Sequence, residues 1–284
     1  MGRVLAVGWA CVDLRFYLEA WPPQGSRTEA RTYREVLGGP AAVAAQAVAR
    51  LGGKVYLLTR KGRDRLGKWL EEALVGAGVR PLFILGKETP VSAVLVTPGG
   101  ERYIFPYRGR LPQGPGRDWL RLLEEVDVVM ADLRWPEAVQ AVFAQAQRRG
   151  LPRVLDLDRV DEGALAIAHL ATHVVASCEA EEALGGIEVL RALFPQAFVA
   201  VTRGAEGVVW PGGRLEALPV RPQDTTGAGD VFHGAFAWGL ARSLGEVEAL
   251  RLANAVSGLY VERGEVPSWE EVKKWAGFLE NSLP

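Results

Sequence analysis

The stretch Asp224-Thr225-Thr226-Gly227-Ala228-Gly229-Asp230, running into Val231-Phe232-His233-Gly234-Ala235-Phe236, holds the residue types with the clearest chemical purpose in this sequence. Small side chains at Gly227, Ala228 and Gly229 leave backbone N–H groups uncovered and let another molecule approach closely. Phe232, Phe236 and Leu240 then recur at helical spacing, which predicts that those N–H groups sit at a helix N-terminus, where the dipole favours an anion. A phosphate held there would have the charge of a phosphoryl-transfer transition state stabilised by amides. Asp230 is the exception in a site built for anions. A carboxylate repels phosphate, so accepting a proton suits it better than ligating one. Asp is also a common helix cap, and the pattern alone allows either role.

Elements able to position such a loop run through the whole chain. Residues 3–8 form a short apolar run ending at Gly8, the pattern of a strand buried on both faces. Asp13 follows it, in the region where open α/β sheets bind ligands, although a turn Asp has the same appearance. Residues 14–36 read as polar and irregular, interrupted by Pro22, Pro23 and Gly25. Gly38 and Gly39 precede an alanine-rich helix that Pro40 can start and Gly52-Gly53 can stop. Residues 55–58 predict a strand, and Asp64 a helix cap. β-formers at 90–96 and 102–105 flank Pro98-Gly99-Gly100, a hairpin pattern.

In the second half, strand patterns at 126–132, 154–158, 173–176 and 198–202 alternate with helical ones. That succession predicts an α/β fold with a mostly parallel central sheet and helices on both faces. Asp132, Asp156 and Asp158 fall at strand ends, where a carboxylate either faces a ligand crevice or caps a loop. A last helix, 269–279, is expected to cover the core.

Composition narrows the function classes. The 284 residues are 49% hydrophobic and 24% charged, with a formal net charge of −1, so neither nucleic acid nor a membrane surface is suggested as a partner. Cys11 and Cys178 have no metal-ligand or redox spacing. The N-terminus shows no apolar core followed by a small-residue cleavage site, and no stretch approaches membrane-spanning length, so a cytoplasmic protein is expected.

The 224–236 segment resembles the C-terminal signature of the ribokinase-like, or PfkB, carbohydrate kinases. That resemblance implies a ribokinase-like fold spanning residues 1–284 as one domain, with small β lid segments at about 14–36 and 88–108 folding over a sugar. It implies Gly227, Ala228 and Gly229 as an anion hole and Asp230 as the base that deprotonates the acceptor hydroxyl. A lid would exclude water and suppress wasteful hydrolysis of ATP. The segment beginning at Gly38-Gly39 resembles the family's Gly-Gly-x-x-x-Asn-x-Ala motif, with Val43 where Asn is usual. Gln46, one turn on, is the nearest polar substitute.

On the same basis Asp13, Gly38 and Gly39 are expected to contact the sugar. Arg27 and Arg102, with Arg15 and Arg108, are candidates for an anionic group on it, each equally readable as a solvated surface charge. The run 201–208 resembles the family's Thr-x-Gly-x-x-Gly nucleotide segment, giving Thr202, Gly204 and Gly207; Thr226, Gly227, Gly229 and Asn254 complete the nucleotide set. Cys178-Glu179-Ala180-Glu181 resembles an Asn-x-x-Glu motif linked to Mg²⁺, with Cys178 in place of Asn and Glu181 or Glu182 in place of Glu depending on register. Asp224 and Thr226 match positions bordering a K⁺ site in some members. His233 is read as a packing or exposed residue.

An ATP-dependent kinase acting on a small sugar or sugar derivative, a ketose or sugar acid, is therefore expected, using Mg²⁺ and optionally K⁺, with a homodimer through the lid. Two alternatives stand: a nucleoside or phosphorylated-sugar kinase of the same family, and a catalytically silent sugar- or nucleotide-binding regulator. A dinucleotide-dependent oxidoreductase is disfavoured because no Gly-x-Gly-x-x-Gly follows the first strand.

Overall fold

The first strand, β1 (Arg3–Val7), sets the architecture: Val4 and Ala6 pack into one helical layer, Leu5 and Val7 into the other. Side chains alternate across a strand, so a continuous apolar run feeds two cores at once. The computed structural model describes all residues except 1, 26, 98–101, 222–224 and 277–284. Besides β1, the strands are β2 (Cys11–Tyr17), β3 (Thr32–Gly38), β4 (Lys54–Gly62), β5 (Arg80–Gly86), β6 (Val91–Val96) and β7 (Arg102–Tyr107). They continue with β8 (Val128–Ala131), β9 (Arg153–Leu157), β10 (His173–Ser177), β11 (Phe198–Thr202), β12 (Val208–Trp210) and β13 (Gly213–Leu215). The helices are α1 (Pro40–Arg50), α2 (Arg65–Gly76), α3 (Pro136–Arg148), α4 (Glu162–Ala168), α5 (Cys178–Leu184), α6 (Ile187–Leu193), α7 (Ala228–Ala241), α8 (Glu246–Arg263) and α9 (Trp269–Ala276).

The large sheet has the order β13-β12-β11-β10-β9-β8-β1-β4-β5 and is parallel from β11 to β5. From β1 the chain winds outward through β4 and β5, then returns to the other side of β1 as β8 and winds the opposite way. The order thus reverses between β1 and β8, and a crevice opens beyond their carboxyl ends. Helices α1, α2, α7 and α8 cover one face; α3, α4, α5 and α6 cover the other.

Helix α7 is buried nearly all round, from Val231 to Gly239. It can lie so deep because Gly234 has no side chain: a Cβ there would meet the Ala44 carbonyl oxygen at 2.2 Å. Alanines of α1 face it, so the two helices cross with backbones nearly touching and their N-termini aimed at the same crevice.

A second, mixed sheet has the order β3-β2-β6-β7 and stands apart from the first. Residues 14–36 are therefore not irregular throughout. β2 and β3 occupy 11–17 and 32–38, and between them the described residues lack regular structure. The alternation of Val12, Leu14 and Phe16 with Asp13, Arg15 and Tyr17 is what a half-buried strand requires. Asp13, beyond the end of β1, accordingly lies inside β2 rather than in a turn. The expected hairpin is present as β6 and β7; its Pro98-Gly99-Gly100-Glu101 turn lies outside the described residues. Asp64 caps α2, accepting from the Gly67 N–H at 2.8 Å. Among the described residues no helix is long and apolar enough to cross a membrane.

Candidate functional site

Three carboxylates that are far apart in the sequence converge where the sheet order reverses. Asp132, just after β8, is 2% exposed; Asp156 on β9 is 8% exposed; Asp230 is half-buried in the first turn of α7. Together with Pro40, Ala41 and Ala44 of α1 and His233 of α7 they line a cleft opening onto about 270 Å³ of atom-free space.

Asp132 organises the cleft floor. It accepts from the backbone N–H groups of Trp9 at 2.8 Å, Ala41 at 3.0 Å and Arg134 at 2.7 Å. One carboxylate therefore joins the connection after β1, the start of α1 and the connection after β8. Burial pushes its carboxyl above the ordinary range, against the pull of Arg134 and the three N–H groups. Arg134 in turn pairs with Asp158.

Asp230 stands behind Gly227, which caps α7 in the left-handed conformation (φ 80°) that glycine adopts without strain. Burial pushes the Asp230 carboxyl up to about 8, and the Asp156 charge adds to this; His233 and Arg134 pull it down. Burial likewise raises Asp156 to about 6, opposed by His233. Val43 of α1 comes close to the Gly227 position: a Cβ on Gly227 would meet its Cγ1 at 3.4 Å. Position 43 thus faces the glycine loop from the opposite helix, and its valine offers no hydrogen bond there.

The loop is secured from behind by residues the sequence reading did not single out. Tyr260 donates its hydroxyl proton to the Thr226 carbonyl, and Ser257 donates to the Ala228 carbonyl at 3.0 Å. Their spacing puts both on one face of α8, a signal legible in the sequence only once that helix is known to lie behind the loop.

On the opposite rim, Gly38 lets Asp13 lie directly on the backbone, since a Cβ there would meet Asp13 Oδ1 at 2.3 Å. Arg15 approaches Asp13 to 3.7 Å, and the Arg108 guanidinium lies 5.9 Å from the centre of the Trp9 ring. Gly39, with φ 95°, packs on the Trp9 carbonyl. From β7, Arg102 reaches across to donate to Thr225 Oγ1 at 3.3 Å, so the small sheet touches the loop that leads into α7. Arg27 is exposed in the 18–31 connection, and among the described residues no hydrogen bond or ion pair links it to the cleft.

Of the nucleotide candidates, Thr226, Gly227 and Gly229 belong to the loop at the start of α7, and the others lie elsewhere. Thr202 ends β11, and Gly204 and Gly207 shape the turn into β12. β11 is the third strand from β8, so this turn lies about 14 Å away at ordinary strand spacing. Glu181 is buried there, and both its oxygens are occupied by Arg203, at 2.9 and 2.6 Å. Asn254 donates to the Glu216 carbonyl at 2.8 Å, tying α8 to the end of the β12–β13 hairpin. Asp224 lies outside the described residues. Among those described, no group of three or more His, Cys, Asp or Glu side chains is placed to hold a metal ion.

Comparison with known proteins bears on the fold and the family. A sequence profile of the pfkB family carbohydrate kinases matches residues 1–270. Ribokinase of Bacillus subtilis is 28% identical over 298 residues, covering 96% of this chain and 99% of that protein. Deoxyribokinase of Salmonella typhi is 26% identical, covering 87% and 88%. A provisionally assigned ribokinase structure from Agrobacterium tumefaciens superposes with a TM-score of 0.91 at 29% identity, covering 96% and 97%. Arabidopsis thaliana ribokinase, solved with ribose and ATP, superposes with a TM-score of 0.84 at 24% identity, covering 96% and 98%. The large sheet, its helices and the small sheet make up the ribokinase-like fold, and the chain belongs to the pfkB family of carbohydrate kinases.

Proposed function

We propose that this kinase transfers the γ-phosphoryl group of MgATP to a hydroxyl of a small sugar held between the Asp13–Gly38–Gly39 rim and the start of α7. Asp230 takes the hydroxyl proton as the oxygen attacks in line, and the Gly227, Ala228 and Gly229 amides receive the charge that develops on the transferred group. The observation that carries this reading is the position of Asp230: a carboxylate of raised proton affinity, in the first turn of a buried helix, at the crevice where the sheet order reverses.

The nucleotide is assigned to the turn after β11, with Thr202, Gly204 and Gly207 along it, Thr226 at the phosphate end beside Gly227, and Asn254 nearer the base. Glu181 suits an indirect part in metal handling. Its oxygens are already committed to Arg203, so it orients a guanidinium beside the nucleotide turn rather than ligating Mg²⁺. The ion itself arrives with the triphosphate. A K⁺ site at Thr226 and Asp224 is supported only by the family signature; the Thr226 carbonyl is already engaged by Tyr260.

The names of the relatives, ribokinase and deoxyribokinase, support testing ribose and deoxyribose as acceptors before ketoses and sugar acids. Arg108, exposed above the Trp9 ring, favours an anionic substituent where the acceptor carries one. The homodimer expected through the lid is supported by exposed Ile104, Phe105 and Tyr107 on β7.

Turnover of ATP by the purified protein, measured across pentoses, ketoses, sugar acids, nucleosides and sugar phosphates, tests the reading. Activity with one acceptor class that disappears in Asp230→Asn is the expected outcome. Binding of a sugar without turnover across the whole panel would instead indicate a regulator.

A further inference from the structure

His233 lies one turn beyond Asp230 on α7 and is 6% exposed. Its Nδ1 is 2.7 Å from the Gly229 carbonyl oxygen; its Nε2 is 3.2 Å from the Val175 carbonyl oxygen on β10 and 3.5 Å from Asp156 Oδ1. A carbonyl oxygen only accepts. A neutral imidazole carries a single N–H, so either neutral tautomer would aim a ring lone pair at a carbonyl lone pair inside the core. Only the doubly protonated ring satisfies both contacts, and Asp156 supplies the counter-charge that a buried cation requires.

The titratable groups that act on this ring are Asp156 on β9 and Asp230 on α7, and Asp132 with Arg134, beyond β8, act in turn on those two carboxylates. The α1 residues of the cleft, Pro40, Ala41 and Ala44, contribute none. Burial lowers the proton affinity of His233, but Asp156 and the two carbonyls outweigh it and hold the ring above the usual imidazole range.

We propose that His233 is a positioning residue that remains an imidazolium throughout the working pH range, fastening the Gly229 end of α7 to β9 and β10 and setting a positive charge one turn from Asp230. Through the first effect it fixes the direction of the amides at the start of the helix. Through the second it keeps the half-buried Asp230 carboxyl ionisable near neutral pH, against the like charge of Asp156. The second effect bears on rate only under the assignment of Asp230 as base; the protonation state of the ring does not depend on that assignment.

The first test is therefore independent of activity. In the ¹⁵N-labelled wild-type protein, which has three histidines, the His233 ring is assigned by its loss in His233→Gln. Both ring nitrogens should carry protons from pH 6 to pH 8. A neutral ring with one protonated nitrogen at pH 7 overturns the proposal. The second test is the acid limb of kcat against pH. His233→Gln should move it upward by about one pH unit, because a cation next to a carboxylate has been removed. Asp156→Asn combined with His233→Gln should bring it back to or below its wild-type position, since the opposing anion is removed as well. A purely structural role for His233 would lower kcat at all pH values and leave the limb in place, and that outcome overturns the electrostatic part.

Discussion

Asp132 and Gly8 occupy one another's space: a Cβ on Gly8 would fall 2.4 Å from Asp132 Oδ2. Gly8 also has φ 149°, so alanine there is strained even before the contact is counted. Gly8→Ala is expected to cost about 1–3 kcal/mol in urea unfolding and to raise KM for the acceptor. The displaced carboxylate would release the Trp9 and Ala41 N–H groups together. An alanine variant with unaltered stability and KM would show that the β1–β8 junction does not shape the cleft.

Asp230→Asn is expected to reduce kcat by at least about 10²-fold while leaving ATP binding in place. In the wild type, kcat/KM should rise with pH through about 8, because a base must be unprotonated to act. The same variant should be the more heat-stable protein at high pH. Between the model-peptide value of 3.8 and about 8, the folded state holds a proton on Asp230 that the unfolded chain has lost, so wild-type stability falls as pH rises through that window. Calorimetry at pH 5 and pH 9 checks this; the gain in Tm should be larger at pH 9.

The Glu181–Arg203 pair has one buried member and one partly open, with side-chain exposures of 8% and 32%. Removing the open partner leaves the charge of Glu181 inside the protein, whereas removing Glu181 leaves a guanidinium that can turn toward water. Arg203→Gln should therefore be the more destabilising change, by about 1–2 kcal/mol in a urea titration. Both variants should raise KM for ATP more than KM for the acceptor.

Phe105 is 57% exposed on β7. Phe105→Glu places a charge in the middle of the apolar stretch Ile104–Tyr107 and is expected to convert a dimer into a monomer in sedimentation analysis. A wild-type protein that sediments as a monomer at every concentration would remove the lid interface from the account.

Some of this arrangement is local, and the sequence carries it openly. Gly227 must end a loop and open a helix, Asp64 must cap, and the run 91–107 must turn back on itself; each is settled within a few residues. Only the family resemblance pointed to β2 and β3; the residue pattern did not, because Pro22, Pro23 and Gly25 dominate the 14–36 segment and mask the period-two alternation on either side of them. β5 escaped notice because it is half-buried and contains Pro81. The cleft was the least legible part. Asp132, Asp156, Asp230 and His233 become neighbours only through the parallel register of β8, β9 and β10 beneath α7, a relation between distant segments that no window of sequence contains. Strand-end position marked Asp132 and Asp156 as suspects; nothing in the surrounding residues marked His233.

The backbone contact between Gly234 and Ala44 restricts how this enzyme can accommodate a different acceptor. With helices α1 and α7 seated that tightly, the gap between their N-termini behaves as a fixed gauge, and neither helix can slide to make room for a bulkier molecule. Room must come from the β2–β3–β6–β7 cover, whose 18–31 connection and outer strand are anchored by few buried side chains. Libraries built to broaden acceptor range should therefore diversify the cover and leave the helix crossing intact.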